Sequence, residues 1–225
     1  MSAGFVFGLT AFVALIAILA VRDHRRTIAT RRQLLDACRG VIDDERWTSG
    51  DDGFPALEGR AYGRAVVAKL IPDTMVVRRL PQLWLSVTMK HRIPDAPSIS
   101  ILARFTGNEF YASTLDLPHR IDPPIGFPLD VLIRGDGARA SRLCHDLAPM
   151  LAKVLADERV KEIILAPNGV RIVRQAAEGR RGEHLLLRQA VFDDCKIDRP
   201  DFVHALSELA DLAAQRDARL ESRAA

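Results

Sequence analysis

The sequence has few cysteines and lacks the spacing of a metal-binding motif. Its 225 residues include three cysteines, Cys38, Cys144 and Cys195, and six histidines. No two of these residues have the C-x-x-C or H-x-x-x-H spacing found in short zinc motifs. Three widely separated cysteines are typical of reduced thiols in a cytoplasmic domain. We therefore expect no metal site and no cofactor.

Lysine is also scarce, and the larger part of the chain lacks a basic excess. Arginine outnumbers lysine 27 to 5, a bias that codon usage explains better than selection for anion recognition. The formal net charge is +3, and residues 1–46 hold seven arginines against five acidic residues, which is +2 and leaves +1 for residues 47–225. Because nucleic-acid-binding domains carry a basic footprint, we expect no nucleic-acid partner.

One long stretch lacks charge altogether. Gly4–Val21, with the sequence GFVFGLTAFVALIAILAV, holds eighteen residues without a charged side chain. As a helix rising about 1.5 Å per residue it spans about 27 Å, close to the ~30 Å hydrocarbon core of a bilayer. A cleaved secretory signal would need a basic region before this run and a small-residue cleavage site after it, and neither is present. The pattern predicts a transmembrane anchor in contact with the lipid bilayer.

Arginines flank the predicted anchor on one side only. No basic residue precedes the run, whereas six arginines follow it within eighteen residues. By the positive-inside rule, this asymmetry predicts a single-pass protein of the inner (plasma) membrane, with its N-terminus outside and its C-terminal domain in the cytoplasm. Five of these arginines form a predicted membrane-proximal basic cluster: Arg22, Arg25, Arg26, Arg31 and Arg32.

A stalk is expected between the anchor and the domain. Asp23–Arg46 has helix-forming residues, no proline and one apolar stripe that includes Leu34, Leu35, Cys38 and Ile42. Three arrangements of this stripe are possible: it packs on the domain, it contacts a second copy of the chain, or it lies on the lipid surface. We favour packing on the domain or a simple stalk. The loop Thr48–Pro55, rich in Gly and Asp, then marks a boundary. We predict an anchor with a juxtamembrane helix at 1–46 and a domain at 47–225 that folds without it.

The first half of the predicted domain is rich in strands. Leu83–Lys90 alternates apolar and polar side chains with the period of two that indicates a half-buried strand. Leu57–Ala61 and Arg64–Ile71 precede it as shorter extended segments. Gly107-Asn108 predicts a two-residue hairpin turn, because both residue types tolerate positive φ. This half is predicted to be an antiparallel meander, followed by a proline-rich connector over Leu115–Pro128.

Two stretches of this half resemble a group of known sequences. LEGRAYGRAVV, from Leu57, and PDTMVVRRLPQLWLSVT, from Pro72 to Thr88, are similar to segments of membrane-anchored bacterial hypothetical proteins. The resemblance implies their architecture, an N-terminal helix followed by a strand-rich domain. The group has no assigned activity, so the resemblance transfers no functional residue.

The second half mixes helices and strands. Gly137–Ala156 has a helical stripe that Pro149 is expected to kink or split. Ala166–Gly169 joins two strands through an Asn-Gly turn, and Glu183–Val191 is predicted to pair back as a third strand. A last helix begins after the capping residue Asp198 and buries Phe202, Leu206, Leu209 and Ala213. The fold class is therefore α+β: a transmembrane helix and stalk, then a mainly antiparallel sheet with helices packed on it.

Two short motifs match known functional patterns only in part. Gly135–Ala140 fits the GxGxxA dinucleotide turn, but Asp136 would meet the phosphate and the following strands are predicted hairpins, not βαβ units. Cys144-His145-Asp146 holds the residue types of a thiol triad, yet adjacent helical residues point about 100° apart. We therefore predict no catalytic residue, although a site assembled from distant residues remains the third hypothesis.

One surface segment is a candidate contact tip: Met75, Val76, Val77, Arg78 and Arg79. Its apolar residues beside two cations suit contact with a bilayer or a partner, and a short strand with exposed arginines explains the pattern equally well. With no catalytic motif, we expect an interaction or scaffolding domain with a protein partner or a second copy of the chain. A ligand-binding or sensory domain is the alternative.

Overall fold

The described part of the chain folds into a long N-terminal helix, a nine-stranded sheet and three further α-helices. The computed structural model describes residues 3–73, 80–105, 109, 112, 114–179, 192 and 197–224, and the structural statements below refer to these residues. The elements, in chain order, are α1 (Ala3–Arg32), β1 (Asp43–Ser49), β2 (Pro55–Ala61), β3 (Arg64–Asp73), β4 (Gln82–Lys90), β5 (Ile99–Ala103), β6 (His119–Ile121), β7 (Val131–Gly135), α2 (Ala138–Asp146), α3 (Ala148–Leu155), β8 (Val160–Ala166), β9 (Gly169–Glu178) and α4 (Arg199–Ala224).

The helix α1 carries its apolar side chains on the outside. Every residue from Gly4 to Arg26 is exposed, and the most apolar stretch has a mean hydropathy of 2.6 with none of it buried. The hydroxyl of Thr10 donates to the carbonyl of Val6 at 2.9 Å, so the polar side chain is satisfied within its own helix. The helix α1 is thus long and apolar enough to span a membrane, as the sequence predicted.

The nine strands form one antiparallel sheet. Their spatial order is β1-β2-β3-β4-β9-β8-β5-β7-β6, and every neighbouring pair is antiparallel. The strands β2, β3 and β4 confirm the first part of the predicted meander, whereas β1 was not predicted. The strand β5, which the meander was expected to include, pairs with β7 and β8, and the β8–β9 hairpin lies between β4 and β5. Ala166 pairs with Gly169 across a turn formed by Pro167 and Asn168, which confirms the predicted hairpin. The predicted α+β class with a mainly antiparallel sheet is therefore confirmed.

The core lies between one face of this sheet and the helices. As predicted, the chain interrupts its helix at Leu147, so α2 and α3 are separate and Pro149 occupies the first turn of α3. The Asp198 carboxylate accepts the N–H of Asp201 at 2.8 Å and caps α4. The helix α4 then buries the predicted stripe Phe202, Leu206, Leu209 and Ala213.

The segment that follows α1 differs from the expected stalk. The helix predicted to continue to Arg46 ends at Arg32, and a short 3-10 turn and β1 follow. The apolar stripe predicted for this segment is buried in the same core as the sheet and α4. Its buried members are Leu34, Leu35, Cys38 and Ile42. Of the three arrangements considered, the segment therefore adopts packing on the domain. The division at residues 46 and 47 stays a prediction, but this packing favours a boundary near Gln33.

Other predicted elements were missed or fall outside the described residues. The connector Leu115–Pro128 contains the short strand β6, which pairs with β7 at the edge of the sheet. The turn at Gly107-Asn108 and the strand at Glu183–Val191 lie outside the described residues, as does the candidate contact tip, Met75, Val76, Val77, Arg78 and Arg79.

Candidate functional site

The last turns of α1 are attached directly to the domain. The Arg31 guanidinium stacks 4.8 Å from the centre of the Phe54 ring, and its Nη1 donates to the carbonyl of Asp52 at 2.9 Å. Gly53 has a φ of +80°, and a Cβ built on it would lie 2.9 Å from Cδ1 of Ile28. Glycine therefore allows the turn between β1 and β2 to approach α1 closely, and no flexible linker separates the helix from the domain.

The predicted basic cluster divides into two parts at this junction. Arg22, Arg25, Arg26 and Arg32 are exposed on α1, and their contact with lipid head groups stays a prediction. Arg31 is partly buried against the turn between β1 and β2, so it serves as a contact between helix and domain.

A buried carboxylate lies on the face of the sheet opposite the helices. Glu162 on β8 is fully buried, and its carboxylate accepts from Arg171 Nη2 at 2.9 Å and from the hydroxyls of Ser100 and Thr114 at 3.4 and 3.5 Å. Burial raises the pKa of Glu162, and the Arg171 guanidinium and the two hydroxyls oppose that rise. One guanidinium thus compensates a carboxylate that is removed from water.

Among the described residues, three buried polar atoms on the same face of the sheet as this carboxylate have no hydrogen-bond partner: Ser86 Oγ, Arg134 Nε and Arg171 Nε. Ser86 pairs with Val173, and Val173 pairs with Glu162, so Ser86 and Glu162 share one face of the sheet. Arg134 pairs with Ser100 on the same face. Since most buried polar atoms are hydrogen-bonded, these donors are exceptions; those of Ser86 and Arg171 are on the neighbouring strands β4 and β9, whereas that of Arg134 is on β7, three strands beyond β9.

A second buried carboxylate joins the end of α4 to the sheet. Asp217 accepts from Arg216 Nε at 2.8 Å, while its other oxygen lies 2.7 Å from both Arg64 Nη2 and His91 Nδ1. Arg216 also donates to the carbonyls of Ala166 and His91 at 2.9 and 3.2 Å. This network fastens α4 to β3, to the residue after β4 and to the β8–β9 turn.

A third charged network fastens α4 to β9 at its other end. Arg174 on β9 contacts Glu208 on α4, and it lies 3.4 Å from the carboxylate of Asp157. Arg159 binds both Asp157 and Asp201, at 3.3 and 2.8 Å. These contacts hold α4 along the sheet and give it a structural role.

The two motifs that resembled functional patterns have structural explanations. Cys144 is buried among apolar side chains, and burial raises its pKa to about 11, so the thiol stays protonated at neutral pH. His145 is exposed and bonds the carbonyl of Ser141 at 2.8 Å. Asp136 accepts the N–H of Ser98 at 2.7 Å and so closes the loop before α2. In the described part of the chain, no group of three or more His, Cys, Asp or Glu side chains is placed to hold a metal ion.

The sequence contained signals for both buried carboxylates, which our sequence analysis missed. Lys161-Glu162 interrupts an otherwise apolar strand, and charged residues inside such a strand need buried partners. Arg216 continues the spacing of Leu209 and Ala213 along α4, so it extends the apolar stripe by one turn. Their partners lie far away along the chain, which is why the sequence alone did not reveal the networks.

No protein-family model matches the chain, and no curated protein matches it either. Among solved structures, the fold is similar to the mycobacterial trehalose monomycolate transport factor A, TtfA, with a TM-score of 0.46 and 10% sequence identity. The likeness covers 84% of this chain and 94% of that one. At this level of similarity no function is carried over.

Proposed function

We propose that this chain is a single-pass membrane protein whose cytoplasmic α+β domain serves as an interaction or scaffolding module at the inner membrane. The anchor is α1, and the arginine asymmetry across its apolar run supports the orientation with the N-terminus outside. Its partner is a protein, either another chain or a second copy of this one. The domain acts by contact and not by catalysis.

The direct attachment of α1 to the domain is the observation that carries this proposal. Arg31 stacks on Phe54 and Ile28 contacts Gly53, so the helix that enters the bilayer also sets the orientation of the sheet. A domain on a flexible tether would present all its faces in turn. A domain with a fixed orientation presents one defined surface to partners in the same thin layer, where a high local concentration compensates for weak affinity.

Two experiments test the proposal. A C-terminal alkaline phosphatase fusion should be inactive and a C-terminal fluorescent protein bright, because the domain is expected in the cytoplasm. Purification of the tagged full chain from cross-linked membranes should recover a stoichiometric protein partner or a homo-oligomer. An active phosphatase would refute the orientation, and a monomer free of protein partners would refute the interaction function.

A second candidate function is that of a ligand-binding or sensory domain. The unpaired donors of Ser86 and Arg171, on the neighbouring strands β4 and β9 and on the face that carries buried Glu162, favour it, because buried donors without a partner accommodate a small polar ligand. Native mass spectrometry of the full chain released from a membrane mimetic should then show a bound small molecule. Loss of that species in Ser86→Ala, with its retention in the exposed control Ser49→Ala, would support this candidate over the first.

A further inference from the structure

An open groove runs along α1 at the point where its apolar run ends and its arginines begin. The groove has a volume of about 570 Å³, within the ~300–1,000 Å³ range of small-molecule sites. Its lining residues recur every three or four positions, so they lie on one side of the helix. We call this feature the α1 groove and define it by Ile18, Val21, Arg22, Arg25, Arg26 and Ala29.

The α1 groove is apolar at one end and basic at the other. Ile18 and Val21 belong to the uncharged run Gly4–Val21, which has the length to cross the hydrocarbon core of a bilayer. The basic part of the groove begins at Arg22, directly after this run, and reaches Arg26. Ile18 and Arg26 are about 12 Å apart along the helix at ~1.5 Å per residue. The groove therefore extends from the depth of the acyl chains to the depth of the head groups.

The three arginines of the α1 groove lie together and have no acidic partner. Arg25 and Arg26 follow Arg22 by three and four positions, a spacing that places the Cβ atoms of helical residues about 5–6 Å apart. All three are exposed, and no residue in the described part of the chain forms an ion pair with them. Asp23 does not line the groove, because it points about 100° away from Arg22 around the helix. Like charges at this spacing repel each other, so an anion bound between them stabilises the helix.

We propose that the α1 groove binds one anionic phospholipid. The guanidinium groups of Arg22, Arg25 and Arg26 bind the phosphate of the head group, and an acyl chain packs against the apolar part of the groove. Free phosphate would occupy the basic part only. A second copy of α1 in the same bilayer would bring its own arginines to the same depth, where the two sets repel. The inference rests on the membrane anchoring proposed above and names the class of lipid that the anchor binds.

Lipid retention by the full chain tests this assignment. The chain is placed in nanodiscs that contain equal amounts of phosphatidylcholine and phosphatidylglycerol with matched acyl chains. Native mass spectrometry then identifies the lipids that stay bound when the chain is released. Phosphatidylglycerol should outnumber phosphatidylcholine on the chain about tenfold or more, because the arginines favour the lipid with a net negative charge.

Exchange of two adjacent residues separates a binding site from general attraction to a charged membrane. Arg22→Asp combined with Asp23→Arg keeps the composition and the net charge, but it moves a guanidinium out of the α1 groove and places a carboxylate in it. The ratio of the two retained lipids should then fall to about one, whereas attraction that depends only on the number of nearby cations would leave it unchanged. Because Gly4–Val21 is unaltered, the variant should still be recovered in nanodiscs.

Two alanine variants compare arginines inside and outside the α1 groove. Arg25→Ala should lower the lipid ratio about fivefold, and Arg32→Ala, which removes the same charge at an exposed position outside the groove, should change it less than about twofold. Equal effects of the two variants, an unchanged ratio in the exchange variant, or equal retention of both lipids by the unaltered chain would overturn the proposal. Loss of the preference when inorganic phosphate is added at constant ionic strength would overturn it in favour of free phosphate, and a lipid-free dimer would overturn it in favour of a second copy.

The failure of this inference is distinguishable from failure of the proposed function. Lipid retention in nanodiscs does not depend on which side of the membrane the domain occupies in cells, or on a protein partner. An active phosphatase fusion or a monomer free of protein partners would therefore refute the cellular role, whichever lipid stays bound. Conversely, recovery of a stoichiometric protein partner by a chain that retains both lipids equally would refute the α1 groove alone.

Discussion

The two longest helices of the molecule place their apolar side chains in opposite ways. The helix α1 has 30 residues and is apolar on all sides over its first two-thirds, and the domain covers only its last turns. The helix α4 has 26 residues and one apolar stripe, which is buried against the sheet. The difference shows that α1 is suited to an apolar solvent outside the protein, whereas α4 obtains its stability from the domain itself.

Two truncations test this contrast and have the largest expected effect. Removal of residues 1–32 deletes α1 but keeps the buried segment after it, so the remaining chain should be soluble and melt cooperatively. Removal of residues 1–46, at the boundary that the sequence suggested, also deletes four buried apolar side chains: Leu34, Leu35, Cys38 and Ile42. At about 1.5–3 kcal/mol each, their loss amounts to ~6–12 kcal/mol, comparable to the whole stability of a domain.

Circular dichroism during heating distinguishes the two truncated chains. The chain starting at Gln33 should show one sharp transition, and the chain starting at Trp47 should show a broad one or none. If both chains melted at the same temperature, the segment between them would be dispensable. The boundary of the domain would then lie at residue 46 after all.

The charged end of α4 provides the second test. In Arg216→Met the apolar stem is retained, but Asp217 and the carbonyls of Ala166 and His91 lose their buried donor. Removal of one partner from a buried charged network costs about 3–5 kcal/mol, so the unfolding midpoint of the full chain in detergent should fall by many degrees. Arg219→Met, on the exposed side of the same helix, should change stability by less than about 0.5 kcal/mol.

An equal effect of both α4 substitutions would contradict the role of the network. The stability of the domain should not depend in this way on the arginines of α1, because Arg22, Arg25 and Arg26 are exposed. The comparison between the helices therefore predicts that charge changes on α1 alter membrane behaviour, while those buried on α4 alter folding.

Local patterns in the sequence predicted most of the elements. The apolar run of α1, the split at Pro149 and the cap at Asp198 each depend on neighbouring residues, so they were recoverable from the sequence. The end of α1 at Arg32 was not, because Asp23–Arg46 lacks a helix-breaking residue before Gly40. Burial of Leu34 and Leu35 against the sheet and α4 decided the path of the chain there.

The candidate sites were harder to predict, since each is assembled from distant segments. Glu162 meets Ser100 and Thr114 only because β8 pairs with β5, and Asp217 meets Arg64 only because α4 crosses the sheet. Neither pairing has a signature within a short window of sequence. The Asn-Gly turn at Gly169 was predicted correctly because the two strands that it joins are adjacent in the chain.

The third prediction concerns the junction of α1 with the domain and has the smallest expected effect on stability. Gly53 and Gly63 have φ angles of +80° and +73°, so alanine at either position costs about 1–2 kcal/mol of backbone strain. The added Cβ at position 63 meets nothing within 4 Å, whereas at position 53 it would lie 2.9 Å from Cδ1 and 3.2 Å from Cα of Ile28. Only Gly53→Ala therefore has to displace α1 itself.

Distances between spin labels separate strain from displacement. Labels are attached at Ala29→Cys on α1 and Lys69→Cys on β3, both exposed, in a Cys195→Ser chain held in nanodiscs. The unaltered junction and Gly63→Ala should give the same narrow distance distribution, and Gly53→Ala should shift or broaden it, even though the backbone strain of the two alanine substitutions is similar. Identical distributions for all three chains would mean that contact with Gly53 does not set the orientation of α1. The anchor would then not hold the domain in one orientation or present one fixed surface of it.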